Sequence, residues 1–259
     1  MNTLFIGQSI IELAEIDSTN TYAINLLKEV NVPEGTVVFT QNQTAGRGQM
    51  GNSWQAESGK NLTFSLILRP NFLSAEKQFY LSKITPLAVF ETLTEFLPPS
   101  LYDIKIKWSN DTLVNQKKIS GILIENILRG NTLQSSVIGV GLNINQRDFS
   151  GIENQTTSLS LLLEKEFDVK EVLAIFCKHF EAFYLLLKQN NFDKITRLYL
   201  DKLYLLNEFA TYKTKKKTFS AKIIDVEESG KLVLSTKENE ILKFNFKEVQ
   251  FTSSRSQHQ

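Results

Sequence analysis

Directly after the apolar run Thr36-Val37-Val38-Phe39, the chain enters Gln43-Thr44-Ala45-Gly46-Arg47-Gly48-Gln49-Met50-Gly51-Asn52-Ser53-Trp54, where three glycines surround one arginine. A strand that runs into such a loop presents a backbone able to approach an anion closely. Glycine takes positive φ and carries no side chain to block the approach. Arg47 adds a charge that no working pH removes. The implied guest is a phosphate, a carboxylate or both. The loop also narrows the fold. Gly46, Gly48 and Gly51 match G-x-G-x-x-G, yet no helical pattern opens there, which argues against a dinucleotide-binding βαβ unit. No Lys-Ser or Lys-Thr closes the loop, so it is not a Walker A motif either.

The rest of the chain supplies both element types. Residues 9–16 alternate loosely as a strand, and Asp17-Ser18-Thr19-Asn20 offers several caps to a helix that Val32-Pro33-Glu34-Gly35 ends. Residues 36–41 and 61–68 read as strands, the second with a period of two. Residues 74–96 read as a helix interrupted or kinked near Pro86. Residues 103–108 alternate Lys105 and Lys107 against Ile104, Ile106 and Trp108. A hairpin is predicted around the turn Asn115-Gln116, with residues 118–127 as its return strand. Residues 133–145 form another strand, whose end sets Gly139, Gly141, Asn143 and Asn145 on one face. That face reads as bare backbone with two amides, on which a flat ligand can rest. From 158 to 206 the pattern is helical, and Phe176, Phe180, Phe183 and Leu187 recur at core spacing. Short strands return after residue 208, in the manner of a small antiparallel barrel. Residues 213–217 hold four lysines, either a solvated hairpin tip or a docking patch for an acidic partner.

Composition removes many chemistries. With a net charge of +1, the chain has no strong field to draw nucleic acid or anionic lipid. Cys177 is the one cysteine, so an intrachain disulfide is impossible and a cysteine-based zinc site is not expected. There are two histidines. His258 lies in the polar tail, which reads as disordered, and His179 falls among helically spaced core residues. A Ser-His-Asp or Cys-His mechanism is therefore disfavoured, and chemistry by electrostatics and positioning is favoured. The N-terminus lacks a signal-peptide pattern and no apolar run suits a membrane span, so a cytoplasmic location is expected. The N-x-T triplets at Asn42, Asn61 and Asn110 are then chance matches.

The order of the pieces carries the most information. Ser18-Thr19-Asn20 comes first, then Gln43 with Gly46-Arg47-Gly48 and Trp54. Lys107-Trp108-x-Asn110-Asp111 follows, then Lys118-x-x-Gly121-Ile122, then Gly139-x-Gly141-x-Asn143-x-Asn145. As an ordered set this resembles the biotin protein ligases, in detail over residues 9–145. The resemblance implies an α+β fold: a mixed β-sheet flanked by helices, of the class II synthetase-like biotin–lipoate ligase type, with a small C-terminal SH3-like β-barrel. It implies a catalytic biotin- and ATP-binding domain at 1–205, the SH3-like domain at 206–252 and a disordered tail at 253–259. It also implies a two-step reaction. ATP activates the carboxylate of biotin as biotinyl-5′-adenylate, and a lysine of a biotin carboxyl carrier domain then takes the biotinyl group. The protein needs no nucleophile of its own for this.

By the same resemblance, Lys118 and Arg47 are the catalytic cations. Ser18, Thr19, Asn20, Gln43, Gly46, Arg47, Gly48, Gln49, Lys118 and Gly121 surround biotin. Arg47, Trp54, Asn110, Lys118 and Asn143 serve ATP and the adenylate, with Asp111 a candidate for Mg²⁺. The expected partner is the carrier domain of a biotin-dependent carboxylase, with no nucleic acid or membrane, and a homodimer is left open. Only seventeen residues precede Ser18, so the DNA-binding domain that some members carry is not expected. The chain departs from the pattern at Gln49, Met50 and Asn52, where arginines are frequent. Lysines elsewhere, including the C-terminal domain, are expected to compensate. Ser109 stands where proline is usual and Ser120 where alanine is common. Two other readings remain: a lipoate or octanoate ligase or transferase of the same fold, and a catalytically silent biotin-binding module.

Overall fold

Strand β1 (Ile10–Ile16) leads into helix α1 (Thr19–Glu29), and β2 (Val37–Gln43) returns parallel to β1. Ser18 caps α1 by accepting from the Thr21 amide. All later neighbours in the same sheet are antiparallel: β3 (Leu62–Leu68), β4 (Ile104–Lys107), β5 (Asp111–Val114), β6 (Lys117–Arg129) and β7 (Thr132–Leu142). The strand order is β1-β2-β3-β7-β6-β5-β4, a mixed sheet as expected. The computed structural model describes residues 2–152 and 155–252. The 253–259 segment, with His258, lies outside the described residues.

Local chemistry sets the register. Asn115 and Gln116 both take positive φ, at 48° and 66°, as a two-residue turn matched to strand twist requires. Every residue of β3 is buried, although its sequence alternates. The alternation survives as a division of labour. Leu62, Phe64 and Leu66 enter the main core, Ile67 joins Ala23, Val38 and Val137 under α1, Ser65 meets polar partners on α1, and Thr63 is buried on the same face as Ser65.

Helices cover the main-core face. Helix α2 (Phe79–Thr94), preceded by a 3₁₀ turn at Ala75–Lys77, continues through Pro86 without an interruption, one of the two outcomes expected there. Its residues are buried nearly all round, and that packing outweighs the one hydrogen bond Pro86 removes. Helices α3 (Leu159–Leu163), α4 (Val169–Lys188) and α5 (Phe192–Asp201) follow. The α4 aromatics are core, as their spacing predicts: Phe176 meets Phe64 edge-on at 5.0 Å, and Phe180 stacks on it at 5.6 Å. His179 is turned to the flank of α4, where it pairs with Glu95 at 3.0 Å. Burial pushes the Cys177 thiol up to about 12, which leaves it inert.

A second sheet contains β8 (Phe209–Lys213), β9 (Thr218–Val226), β10 (Leu232–Thr236), β11 (Ile241–Phe244) and β12 (Gln250–Phe251). Its order is β11-β10-β9-β8-β12, all antiparallel. β11 and β12 stay unpaired with each other, so the expected small barrel is open. With only two residues, β12 is too short to close it. This sheet is clamped to the first. Trp108 Nε1 donates to the Gly230 carbonyl at 3.0 Å, and the Trp108 and Phe246 rings meet at 5.2 Å. The buried Lys83 ammonium donates to Thr196 Oγ1 at 3.0 Å and Val226 O at 3.5 Å, which ties α2 to α5 and β9. Burial lowers its pKa, and Asp225 and Glu228 partly restore it. No helix among the described residues is long and apolar enough to cross a membrane.

The segment before β1 is held by core packing of Ile6, by Gly7 N donating to Gly35 O at 2.8 Å, and by one acidic side chain. Glu181 accepts from the amides of Leu4, Phe5 and Ile6 at 2.7, 2.8 and 3.0 Å. Removing the carboxylate strands donors that face the core. Glu181→Ala should therefore lower unfolding free energy by about 2–4 kcal/mol. Urea denaturation checks this, and an unshifted midpoint would refute it.

Candidate active site

A cavity of about 860 Å³ opens on the sheet face away from α2 and α4, between the 43–54 loop and the second sheet. Its floor follows from strand register. Gly121 of β6 sits opposite Gly141 of β7, and Gly139 lies between Ser65 and Leu123. The glycines are needed for close approach. A Cβ on Gly141 would fall 2.2 Å from Trp54 Cε2, one on Gly121 3.0 Å from Trp54 Cζ3, and one on Gly139 2.3 Å from Asn20 Oδ1. The face is thus not bare, as the alternation suggested. The indole of Trp54 and the amide of Asn20 rest on it. Trp54 Nε1 is buried without a partner.

The 43–54 loop folds back as a narrow clasp. Trp54 N donates to Gly46 O at 2.9 Å and Gly48 N to Asn52 O at 2.7 Å. A Cβ on Gly46 would strike Trp54 O at 2.3 Å. Gly46 therefore shapes the clasp and does not itself line the cavity, whereas Arg47, Gly48, Gln49 and Trp54 do.

One end of the cavity is a connected polar cluster. Ser18, Thr19, Asn20 and Gln43 all line it. Gln43 Oε1 accepts from Thr19 N at 2.8 Å and Thr19 Oγ1 at 3.1 Å. Buried Ser65 places its hydroxyl 2.5 Å from Asn20 Oδ1 and 2.8 Å from Thr19 Oγ1. Asn20 Nδ2 donates to Glu125 Oε2 at 2.9 Å. Arg47 closes the cluster: it donates to Thr21 Oγ1 at 3.2 Å and grips Glu125 with two nitrogens, at 2.8 and 3.3 Å. Sequence reasoning missed Ser65 and Glu125. The signal was present in the period of two, since Gly121, Leu123 and Glu125 share one face of β6.

At the other end stands Lys118. Its ammonium is 2.7 Å from Asp111 Oδ1 and 5.6 Å from the centroid of the Trp54 ring. Its backbone is fixed on both sides, because Lys118 N donates to Gln155 O at 2.8 Å and Thr157 N to Lys118 O at 2.9 Å. Asn110 Nδ2 donates to Ile122 O at 2.9 Å, and Asn143 Nδ2 to Thr157 O at 3.1 Å. Asn143 Oδ1 is a buried acceptor with no partner. Ser109 Oγ reaches Gln49 Oε1 at 2.9 Å, and Ser120 Oγ donates to Gly141 O at 2.7 Å. Both serines that depart from the expected pattern are thereby satisfied.

Arg47 and Lys118 thus line one cavity, each oriented by its own carboxylate. Lys107 and Lys247 line it too, so four cationic side chains face it against one lining carboxylate, Asp111. Lys247 comes from the second sheet's side, between β11 and β12. No group of three or more histidine, cysteine or acidic side chains able to hold a metal occurs among the described residues. The arrangement suits two anions brought together beside a flat apolar wall.

Comparisons with known proteins place the chain in a family. The family model of the biotin/lipoate A/B protein ligases matches residues 13–143, and the chain belongs to that family. It is 32% identical over 241 residues to the bifunctional ligase/repressor BirA of Bacillus subtilis, covering 92% of this chain and 73% of BirA. It is 35% identical over 132 residues to the biotin–[acetyl-CoA-carboxylase] ligase of Paracoccus denitrificans, about half of each chain. The biotin protein ligase of Aquifex aeolicus, solved with biotin and ATP, superposes with a TM-score of 0.78 at 29% identity, over 95% of this chain and 100% of that one.

Because Trp54 lies on glycine backbone, Gly141→Ala must lift the indole off the sheet. The expected result is a red shift of tryptophan emission. An unchanged spectrum would show that the contact is not held in solution.

Proposed function

We propose that this chain activates biotin with ATP to biotinyl-5′-adenylate and transfers biotin to a lysine of a biotin carboxyl carrier domain, with residues 1–205 supplying the chemistry. The observation that carries this reading is that Arg47 and Lys118 open into one cavity, between a polar cluster and Trp54. The family and its biotin- and ATP-bound relative support it.

The physical problem is repulsion. A carboxylate must approach the α-phosphate of ATP, and at 4 Å with an effective dielectric near 20 two unit charges oppose each other by about 4 kcal/mol. Arg47 and Lys118 offset this. Their carboxylate partners, Glu125 and Asp111, hold the cations in place before either anion arrives. Such preorganisation lets the site act without reorienting its dipoles during reaction. In this reading Ser18, Thr19, Asn20 and Gln43 pair with the ureido group of biotin, whose donors and acceptors need partners when buried. Trp54, which lines the cavity beside Lys118, offers its indole to ATP and the adenylate. Asn110 and Asn143 serve the nucleotide, and the unpartnered Asn143 Oδ1 is an acceptor open to a donor on it.

Biotin's carboxylate oxygen bonds to the α-phosphorus and pyrophosphate leaves. The carrier's lysine amine then attacks the acyl carbon, AMP departs, and an amide remains. Asp111, an oxygen donor beside the phosphates, fits a Mg²⁺ whose remaining ligands come from nucleotide and water, and the ion would neutralise phosphate charge when bound.

Incubation with biotin, Mg-ATP and a carrier domain should add one biotinyl mass to the carrier, and excess octanoate or lipoate should not compete. An unmodified carrier would overturn the reading. Lys118→Ala should slow adenylation by roughly 10²–10³, as loss of one preorganised donor does. Wild-type turnover in that variant would remove Lys118 from the mechanism. Gln49→Arg should slow escape of free adenylate, since it returns a cation to a loop that holds only Arg47. Equal release from both enzymes would refute that expectation.

A further inference from the structure

The four lysines of 213–217 stand in a place their sequence alone did not reveal. The β8–β9 hairpin tip is ordered by Thr214, whose amide donates to Lys217 O at 2.9 Å and whose hydroxyl accepts from Lys216 N and Lys217 N at 3.3 and 3.1 Å. Lys213, Lys215, Lys216 and Lys217 are all exposed. Among the described residues, no carboxylate lies within 4.0 Å of any of their ammonium groups, in contrast to Lys60, Lys105, Lys118, Lys170 and Lys243, which all have one. Four like charges in five residues therefore lack a carboxylate partner among the described residues, although the Lys217 ammonium lies 5.4 Å from the Phe219 ring centroid.

Their position is the second observation. β8 pairs with β12, and Lys213 sits directly opposite Gln250, with Tyr212 opposite Phe251. Gln250 and Phe251 line the active-site cavity. Directly opposed residues lie about 5 Å apart at Cα, so the basic tip begins one strand away from the cavity rim. Lys107, another lining residue, holds its ammonium 5.4 Å from the Phe251 ring centroid and carries the positive surface inward. The charge thus runs from the hairpin tip, past β12, to the cations that face the reacting anions.

We propose that this tip is the electrostatic docking surface for the protein substrate, and that the partner is a small domain whose acceptor lysine is flanked by carboxylates. The inference rests on the biotin-transfer reading above and deepens it. A partner drawn to the tip by its acidic face sets its lysine at the mouth of the cavity, where the activated acyl group waits. Charges of this kind act on encounter and orientation, and their effect fades with salt.

The test uses the full chain with Lys215→Glu and Lys216→Glu together, and thermal melting confirms the fold. Biotin-dependent ATP–pyrophosphate exchange should equal wild type, because the tip touches neither small substrate. KM for the carrier domain should rise about tenfold at low salt and converge towards wild type as salt is added. Replacing the carboxylates around the carrier's acceptor lysine by amides should raise KM similarly, and the two changes should not add. An unchanged carrier KM overturns the proposal, as does a rise that salt does not diminish. So does a loss of exchange in the variant, which would place the tip's effect on adenylation. Absence of exchange in the wild-type enzyme is a separate outcome that sinks the ligase reading itself.

Discussion

The pairing of Gly121 with Gly141 across β6 and β7 is the constraint on which the site depends. It opens a patch of naked backbone wide enough for an indole, and Trp54 lies on it. That contact fixes the end of the 43–54 clasp, and the clasp fixes Arg47. Register is what secures the pairing. The turn at Asn115 and Gln116 sets where β5 ends and β6 begins, the turn at Gly130 joins β6 to β7, and a slip of one residue between those two strands would turn Gly121 towards α2 and the core.

Electrostatics adds a second layer. Each catalytic cation candidate has one carboxylate partner, and neither partner comes from the cation's own segment: Glu125 reaches Arg47 from β6, and Asp111 reaches Lys118 from β5. Both pairs are partly exposed, so their value to stability is small. Their value to function is geometric. They keep two flexible side chains aimed at one space, and the excess of positive charge over the whole cavity still favours anionic guests.

Much of this was legible in the sequence, for identifiable reasons. Helix α4 came through because core spacing and burial agree, and β1, α1 and β6 because caps, breakers and a turn bound them. The Ser18 cap and the hairpin turn were readable as local chemistry. The ordered motifs placed Thr19, Gln43, Arg47, Trp54 and Lys118 as site candidates, and they meet in one cavity. What failed was tertiary. Pro86 signalled an interruption or a kink, and the surrounding packing carries the helix through without the interruption. The glycine face of β7 promised an open shelf, but nothing in the sequence could show that Asn20 and Trp54 fill it. Ser65 and Glu125 carry no motif, and they matter only because pleating points them at residues far away in the chain. The closure of the second sheet was likewise beyond pattern reading, since it turns on the two-residue length of β12.

A glycine floor also limits how such an enzyme can diversify. Enlarging Gly139 or Gly141 displaces Asn20 or Trp54, and enlarging Gly121 crowds Trp54, so a change at the bottom of the cavity is felt by the side chains that rest on it. Variation in what the cavity accepts must then accumulate along its walls and lid, in the 43–54 clasp and the second sheet. The fold separates a crowded base from a roomier roof, and new substrate preferences among such chains should be sought in the roof.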